Sequence, residues 1–363
     1  MKIENIETFL VNIPFDHGAQ QRKLTGREWP CLEYVFVRID TDEGVSGWGD
    51  AFGYGAALAT KAAIDHIVAP NLIGEDASDI AGLSYKMQQQ NHLWGRYGIT
   101  MFAISGIDIA LWDLAGKAQG KSVTALLGGA KRTVLPGYAS LFKYEDRDLV
   151  AAKTDQAIAE GFRHVKLHET AESEVAAARE VGGKDLAIML DTNCPWTPAQ
   201  AADMAAALKQ YELFWLEEPI FPPEDFKALA KLQRSSGIPL AAGENACTAL
   251  EFEKMFDAGA VTYAQPSVTK VGGITEMMKI LPLAKAVGVS VVPHCPYFGC
   301  GFLASLHIAA AMEEDCLIER FYLDLEAAPI PGFIYPQDGK FGIPTEPGLG
   351  LDPDMNVLRD YAG

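Results

Sequence analysis

Short apolar runs alternate with longer amphipathic stretches along the chain after Leu135. The apolar runs cover residues 164–168, 186–191, 213–218, 238–244, 260–265, 289–294 and 315–320. The stretches between them, such as 198–210 and 223–233, have the apolar spacing of helices with one buried face. Strands that alternate with helices at intervals of roughly 20 to 30 residues predict a parallel sheet. About eight such units favour a closed α/β barrel over an open sheet.

The first part of the chain has a different pattern. Residues 31–39 are rich in β-branched and aromatic side chains, and a TDEG turn at 41–44 separates them from a second short strand. This combination predicts a β-hairpin. From about residue 57 to residue 120 the apolar residues recur three and four apart, which indicates helices. We therefore divide the chain into an α+β module (1–125), an α/β barrel (126–325) and a loop-rich C-terminal segment (326–363) that is expected to return to the first module.

The charge balance limits the classes of partner. The 363 residues carry 30 Lys and Arg against 48 Asp and Glu, a formal net charge of −18. Binding to nucleic acid draws on basic surfaces, so we expect no nucleic-acid partner. A small acidic substrate stays compatible with this charge, because one local cluster of cations is enough to bind it. We also expect a homo-oligomer.

Cysteine usage and the N-terminus predict a cytoplasmic protein. None of the six cysteines forms a Cys-x-x-Cys pair, and the first ten residues lack the basic and then apolar pattern of a signal peptide. Residues 286–312 contain no Asp, Glu, Lys or Arg. They include Pro293, His294 and Pro296, and a lipid-exposed backbone does not tolerate such breaks. We interpret this stretch as a buried strand, a loop and a buried helix, and we expect no membrane association.

Acidic residues stand at the ends of three successive predicted strands. Asp191, Glu217 and Glu244 are separated by 26 and 27 residues, about one strand-helix unit each. In a parallel barrel the strand C-termini open on one face, so these side chains are expected to converge there. Three crowded carboxylates need a cation, and oxygen ligands suit Mg²⁺. The alternative is that each acid caps the helix that follows its strand.

Several motifs together carry a resemblance to a known family. They are GWGDA (47–51), SGIDIALWDLAGKAQGKSVTALLGG (105–129), LDTN (190–193), WLEEP (215–219), AAGEN (241–245), QPSVTKVGG (265–273) and VVPH (291–294). The chain resembles the enolase superfamily, in the branch of mandelate racemase and muconate lactonising enzyme. The resemblance implies a modified TIM barrel, (β/α)7β, with an α+β capping domain built from both termini. It also implies Mg²⁺ held by Asp191, Glu217 and Glu244, and abstraction of the proton α to a carboxylate through an enediolate.

Two basic residues on the second barrel strand are candidates for catalysis. Lys166 matches the first position of the family's Lys-x-Lys motif, where the resemblance implies that it neutralises the substrate carboxylate. The second position is His168 instead of lysine. Residues i and i+2 of a strand point to the same side, so both side chains are expected at the barrel mouth. His168 is a candidate general base near neutral pH. The alternative is a structural histidine.

Two further candidates lie on the last barrel strands. His294 matches a family histidine that pairs with an aspartate on the preceding strand, but Ser267 stands at the aspartate position. We therefore expect His294 to act as a proton donor to a leaving group or as a neutral hydrogen-bonding group, and not as a strong base. Glu319 matches a glutamate that contacts the substrate carboxylate as an acid. In such a contact it would be partly protonated, because two adjacent carboxylates do not both stay ionised.

Substrate specificity is expected to come from the first module and from groups beside the metal ligands. Arg22 and Trp29 lie in the segment 14–30, which closes over the mouth in related enzymes, and they are candidates for substrate binding together with Asn193. Glu218 and Asn245 are expected to support the neighbouring ligands. For Lys270 we expect a structural role.

The reaction favoured by these residues is the dehydration of a sugar acid to a 2-keto-3-deoxy acid. His168 would remove the α-proton and His294 would assist the departure of the β-hydroxyl as water. A racemase or epimerase needs two competent bases, and Ser267 weakens the second. A cycloisomerase acting on a carboxylate substrate is a third enzymatic alternative. The non-enzymatic alternative is a barrel that binds an acidic ligand without turnover.

Overall fold

The first module is an antiparallel sheet covered by helices. The computed structural model describes residues 1–19, 23–24, 27–332 and 335–363. The strands of this module are β1 (Ile3–Asp16), β2 (Lys23–Leu24), β3 (Arg27–Glu28), β4 (Cys31–Thr41) and β5 (Ser46–Ala51). Its helices are α1 (Ala57–Ala63), α2 (Ile80–Gln90), α3 (Ile99–Gln119) and α4 (Val123–Leu126). A short π-helix at Ile64–Val68 and a 3₁₀-helix at Ala69–Asn71 follow α1. β4 pairs antiparallel with β1 on one side and with β5 on the other, which confirms the predicted hairpin.

Helix α3 is the core helix of this module. Two glycines of β5 let its backbone approach the sheet closely, since a Cβ atom at Gly49 would lie 2.1 Å from the carbonyl oxygen of Gly106. By length and hydropathy α3 would pass as a membrane span, yet 78% of its apolar window is buried inside the protein. A core helix passes the same test, and the packing of α3 against β5 accounts for its composition.

The second part of the chain alternates strands and helices as predicted. The strands are β6 (Val134–Ser140), β7 (His164–Leu167), β8 (Ala187–Asp191), β9 (Trp215–Glu217), β10 (Leu240–Ala242), β11 (Tyr263–Ala264), β12 (Ser290–Val291) and β13 (Ile318–Phe321). The helices are α5 (Arg147–Ala159), α6 (Glu172–Gly182), α7 (Pro198–Leu208), α8 (Phe226–Ser236), α9 (Ala249–Asp257), α10 (Gly273–Val287) and α11 (Cys300–Ala311), with a 3₁₀ turn at Lys209–Tyr211.

These eight strands of the described chain form a curled parallel sheet. Hydrogen bonds join them in the order β12-β11-β10-β9-β8-β7-β6-β13. At the seam between the two end strands, the backbone N–H of Cys295 donates to Glu319 Oε2 at 3.0 Å. Seven helices separate the eight strands, which confirms the predicted modified barrel. The ends of all eight strands therefore face one mouth.

The last segment contacts both parts of the molecule. It contains β14 (Asp324–Leu325), β15 (Lys340–Gly342) and α12 (Met355–Asp360). β14 pairs antiparallel with β1, and the N–H of Gly363 donates to the carbonyl of Leu10 at 2.9 Å. β15 instead pairs with β6 of the barrel. The chain end thus joins the N-terminal sheet, while the division at residues 125 and 325 stays a prediction.

Two buried aspartates fasten the first module to the barrel. Asp108 on α3 accepts the backbone N–H of Thr275 at 2.9 Å, in the first turn of α10. Asp50 on β5 accepts the backbone N–H of Gly301, in the first turn of α11. Helix N-termini favour negative charge because their first N–H groups lack partners within the helix. The N-terminal module is therefore docked by carboxylates that complete two barrel helices.

Alanine at Gly273 should destabilise the protein more than alanine at Gly288. Both glycines have a positive φ, +81° and +72°, so an added Cβ costs about 1–2 kcal/mol at either position. A Cβ at Gly273 would also lie 2.2 Å from Asp108 Oδ2, whereas at Gly288 it would meet nothing within 4 Å. We expect Gly273→Ala to lose roughly 1–3 kcal/mol more free energy of unfolding than Gly288→Ala in urea denaturation. Equal losses would contradict the docking role of Asp108.

Candidate active site

Three carboxylates converge at the barrel mouth. Asp191 and Glu217 are the last residues of β8 and β9 and lie opposite each other in the parallel register. Glu244 follows β10 by two residues. Each carboxylate offers an oxygen, and the three oxygens lie within 4.8 Å of one another. The structure therefore brings together the three acids that the sequence singled out, on three adjacent strands.

The chemistry of this donor set fits a magnesium ion. Mg²⁺ prefers oxygen ligands at about 2.1 Å, so two ligands on opposite sides of one ion lie about 4.2 Å apart. The acidic triad (Asp191, Glu217 and Glu244) needs only a small contraction to reach that spacing. Burial and the neighbouring charge of Asp191 raise the pKa of Glu217 to about 8. A divalent cation would relieve this repulsion, so the triad can bind a metal ion.

Lys166 is buried in the middle of the acidic groups. Its side chain is 0% exposed, and its Nζ lies 3.0 Å from Glu217, 3.0 Å from Glu319 and 3.4 Å from Asp191. Burial opposes the charge on the ammonium group, but Glu217 and Glu319 hold the pKa of Lys166 well above its usual value. The lysine is therefore a fixed positive charge of the mouth and not a solvated surface residue.

Glu319 forms an ion pair with Lys166, and its contact with the substrate carboxylate stays a prediction. Burial would raise its pKa, but the adjacent Lys166 ammonium holds the pKa of Glu319 below its usual value. Its other carboxylate oxygen accepts the backbone N–H of Cys295. The ion pair with Lys166 keeps Glu319 charged, and the sequence alone does not reveal this pair. In the structure Glu319 is an ionised partner of Lys166.

The geometry of His168 defines its protonation. Its Nδ1 lies 2.5 Å from the carbonyl oxygen of Leu141, and a carbonyl only accepts, so Nδ1 carries a hydrogen. Its Nε2 lies 3.2 Å from Asp191 Oδ2. Burial lowers the pKa of His168, but the Asp191 carboxylate outweighs it and raises the pKa above the usual value. Nε2 is therefore the nitrogen that takes up and releases a proton beside the triad.

His294 lies at the other end of the triad. Its Nε2 is 2.6 Å from Glu244 Oε2, and its Nδ1 is 3.5 Å from the hydroxyl of Tyr297. The Ser267 hydroxyl forms a short hydrogen bond with Tyr297, so Tyr297 lies between the serine and the histidine. Sequence reasoning compared Ser267 directly with His294 and missed Tyr297. No regular spacing in the sequence predicts a role for Tyr297, because it lies in an irregular loop after β12.

Residues next to the triad form a supporting layer. Asn245 Nδ2 donates to both oxygens of Glu218, at 2.9 and 3.1 Å. Lys270 lies 3.8 Å from Glu244 and 4.8 Å from the ring centre of Phe52, almost fully buried. The structural role expected for Lys270 stays a prediction, and the structure places its ammonium group beside the triad. The sequence feature that could have indicated this placement is the position of Lys270 two residues before Gly272 and Gly273.

The three predicted substrate-binding residues have different surroundings. Asn193 is exposed, and its backbone N–H and Nδ2 both lie 3.0 Å from Asp191 Oδ1, so it orients that carboxylate. Trp29 is 6% exposed and stacks on Phe142, and its Nε1 has no hydrogen-bond partner among the described residues. Arg22 lies outside the described residues.

A separate cavity of about 380 Å³ lies away from the triad. It is lined by residues from the end of β1, from α5 and from the segment after β13, among them Lys153, Arg320 and Tyr322. None of its lining residues belongs to the acidic triad. The candidate active site is therefore defined by the convergence of charged groups at the barrel mouth and not by this cavity.

The fold and the acidic triad agree with comparisons with known proteins. Residues 29–128 match the mandelate racemase / muconate lactonizing enzyme N-terminal domain, and residues 149–357 match the enolase C-terminal domain-like family. The chain belongs to the enolase superfamily. Within it, the chain falls in the mandelate racemase and muconate lactonising enzyme family.

Similar members of the enolase superfamily act on acid sugars. Arabinonate dehydratase of Saccharolobus solfataricus is 33% identical over 91% of both chains. D-galactarolactone cycloisomerase of Agrobacterium fabrum is 30% identical over 99% of both. The crystal structure of L-talarate dehydratase from Polaromonas sp. JS666, complexed with Mg and L-glucarate, has a TM-score of 0.86 and 28% identity over 100% of this chain and 97% of that one. This chain is an enzyme of the same dehydratase, racemase or isomerase type.

Magnesium should stabilise the metal-free protein through the acidic triad. At a Mg²⁺ concentration about 100-fold above the dissociation constant, binding adds about 2.7 kcal/mol to the free energy of unfolding. Glu217→Gln should remove most of this gain, because one anionic ligand is lost. The control Glu253→Gln removes the same charge from an exposed site on α9 and should keep the gain. Thermal denaturation with chelator and with Mg²⁺ measures both, and a full gain in Glu217→Gln would exclude this site.

Proposed function

We propose that the protein is a Mg²⁺-dependent dehydratase that converts a sugar acid to a 2-keto-3-deoxy acid. The observation that supports this most directly is the placement of two imidazoles at the two ends of the acidic triad. His168 lies beside Asp191, and His294 lies beside Glu244. One ring can remove a proton from a substrate held over the triad while the other gives a proton to a leaving group.

Asp191, Glu217 and Glu244 would hold the metal ion. When bound, Mg²⁺ supplies fixed positive charge beside the substrate carboxylate, which lowers the free energy of the carbanion formed when the α-proton leaves. Lys166 adds a second positive charge, because its pKa is held well above the usual value by Glu217 and Glu319 after burial is overcome. The Lys166 side chain is 0% exposed, so little water screens its charge.

His168 would act as the base. The carbonyl oxygen of Leu141 accepts a hydrogen bond from Nδ1 of His168. Nε2 is then the nitrogen that can receive the α-proton of the substrate. The electron pair of the broken C–H bond moves toward the carboxylate and gives an enediolate of the substrate. An imidazole is a competent base near neutral pH, and Asp191 Oδ2 lies 3.2 Å from Nε2 and orients the ring. A second lysine is therefore not needed at this position.

His294 would act as the acid. In a second step the enediolate electron pair forms the C=C bond between the α- and β-carbons, the bond between the β-carbon and its hydroxyl breaks, and Nε2 of His294 gives its proton to the departing oxygen. Water leaves, and the remaining enol gains a proton on the β-carbon and loses its O–H proton, which gives the 2-keto-3-deoxy acid. The proton taken by His168 and the proton given by His294 balance, so the reaction needs no oxidant or reductant.

A cycloisomerase is the second candidate function. The relative from Agrobacterium fabrum covers 99% of this chain and is named for that reaction. The same two imidazoles serve when the leaving oxygen belongs to a ring of the substrate, because the base takes the α-proton and the acid protonates the ring oxygen. The product is then an isomer and no water is lost. A racemase is less well supported, since it needs a base on each face.

A screen of acid sugars and their lactones with Mg²⁺ would distinguish these reactions. Loss of one water, seen by mass spectrometry, supports a dehydratase. A product of unchanged mass with an opened ring supports a cycloisomerase. Exchange of the α-proton in D₂O with inversion at that carbon supports a racemase. If compounds of the screen bind but none shows α-proton exchange or turnover, the result supports the alternative of a barrel that binds an acidic ligand without catalysis.

His168→Ala should abolish turnover and leave magnesium binding nearly intact. The variant removes the proposed base, which contributes about 10²–10⁴ in rate, but no ligand of the triad. His164→Ala is the matched control, because it removes a histidine from the first residue of the same strand β7. We expect kcat near the wild-type value for the control. A near wild-type kcat for His168→Ala would assign the base to another residue.

The remaining expectations stay predictions. Substrate contacts by Arg22, Trp29 and Asn193 can be tested once a substrate is known. The homo-oligomer can be tested by light scattering, and the cytoplasmic location by cell fractionation.

A further inference from the structure

Tyr297 lies between two polar groups of the site. It follows β12 in the loop before α11, and it is 5% exposed. Its hydroxyl is hydrogen-bonded to the Ser267 hydroxyl and lies 3.5 Å from His294 Nδ1. This second distance is at the long end of a hydrogen bond, as is common before a substrate closes an active site. The nitrogen of His294 that faces away from the triad therefore faces a phenol.

The hydrogens along this line follow from what each group can accept. Nε2 of His294 faces Glu244 Oε2 at 2.6 Å, and Nδ1 faces the phenol. The phenol oxygen can accept a hydrogen from Nδ1 and donate its own to Ser267. Burial raises the pKa of Tyr297 well above its usual value, so the hydroxyl keeps its proton.

The position of the hydroxyl is fixed by packing. Phe52 and Tyr54 of the N-terminal module contact the Tyr297 ring with centroid distances of 6.4 and 6.1 Å. The ring is thus held from the N-terminal module as well as by Ser267. A group held this firmly can orient its neighbour.

We propose that Tyr297 is a positioning residue for His294 and that Ser267 holds Tyr297 in place. This inference rests on the proposed function, in which Nε2 of His294 gives a proton to the leaving oxygen. Tyr297 keeps the Nδ1 hydrogen in place, so that only Nε2 exchanges its proton and the ring stays aimed at the triad. The neutral hydroxyls of Ser267 and Tyr297 together reach His294. An aspartate in their place would add another negative charge to a mouth that already holds several carboxylates.

Tyr297→Phe should slow departure of the leaving oxygen without slowing removal of the α-proton. The variant keeps the ring and loses one oxygen. We expect the rate of water loss or ring opening to fall about 100-fold, while α-proton exchange in D₂O by His168 stays within about threefold and KM is unchanged. Ser267→Ala should show the same pattern with about a tenfold fall, and Ser267→Thr, which keeps a hydroxyl, should recover most of it. Equal falls of exchange and of product formation in Tyr297→Phe would overturn the proposal.

Tyr54→Phe is the matched control. It also removes one buried hydroxyl and one hydrogen bond from the same aromatic cluster, but that hydroxyl bonds Pro296 and not His294. We expect the wild-type ratio of exchange to product formation. If Tyr54→Phe changes this ratio as much as Tyr297→Phe does, packing of the cluster accounts for the effect and the proposal fails.

A measurement without substrate separates this inference from the proposed function. In Mg²⁺-loaded protein labelled with ¹⁵N-histidine, long-range ¹H–¹⁵N correlations report which nitrogen of a neutral imidazole carries the hydrogen. His294→Asn assigns the signal. We expect a hydrogen on Nδ1 in the wild type and a shift toward Nε2 in Tyr297→Phe. The same tautomer in both proteins would overturn the positioning role, whatever the enzyme does. A changed tautomer in a protein that turns over no acid sugar would support the positioning of His294 and reject the proposed function.

Discussion

The burial of several carboxylates at one end of the barrel is the constraint on which the rest of the site depends. Asp191, Glu217 and Glu319 are at most 1% exposed, and an unpaired buried charge costs several kcal/mol. Lys166 contacts all three, and it stays protonated because they surround it. One ammonium does not balance all three acids, so a divalent cation at the triad would lower the repulsion between them. A site built in this way is suited to stabilising a substrate that gains negative charge during its reaction.

The same constraint explains the basic groups around the triad. His168 stands where the family pattern has a second lysine, and its ring is fixed by the Leu141 carbonyl on one side and by Asp191 on the other. His294 is held beside Glu244, and hydroxyl groups in place of a carboxylate face its other nitrogen. The two imidazoles therefore differ in surroundings, one beside a carbonyl and one beside a phenol. This asymmetry suits a reaction that removes one proton and delivers another more than one that inverts a single carbon.

The N-terminal module contributes to the site through rigid contacts. Asp50 and Asp108 dock it onto the first turns of two barrel helices. Those helices follow β11 and β12, the strands whose C-terminal loops carry Ser267 and Tyr297. The module also supplies Phe52 and Tyr54, which hold the Tyr297 ring. Docking of the module and the arrangement around His294 are thus parts of one packed unit.

The sequence by itself determined the strand order, the barrel and the acidic triad. Strand and helix periods are local properties, and Asp191, Glu217 and Glu244 lie at the ends of strands that the periodicity locates. Lys166 and His168 were predicted from the resemblance to the family's Lys-x-Lys motif, and their i and i+2 spacing places both on one face of a strand. Only the tertiary structure decided the state of Glu319, the approach of Lys270 to Glu244, and the place of Tyr297 between Ser267 and His294. These depend on distances between loops far apart in the chain, and no local pattern encodes such distances.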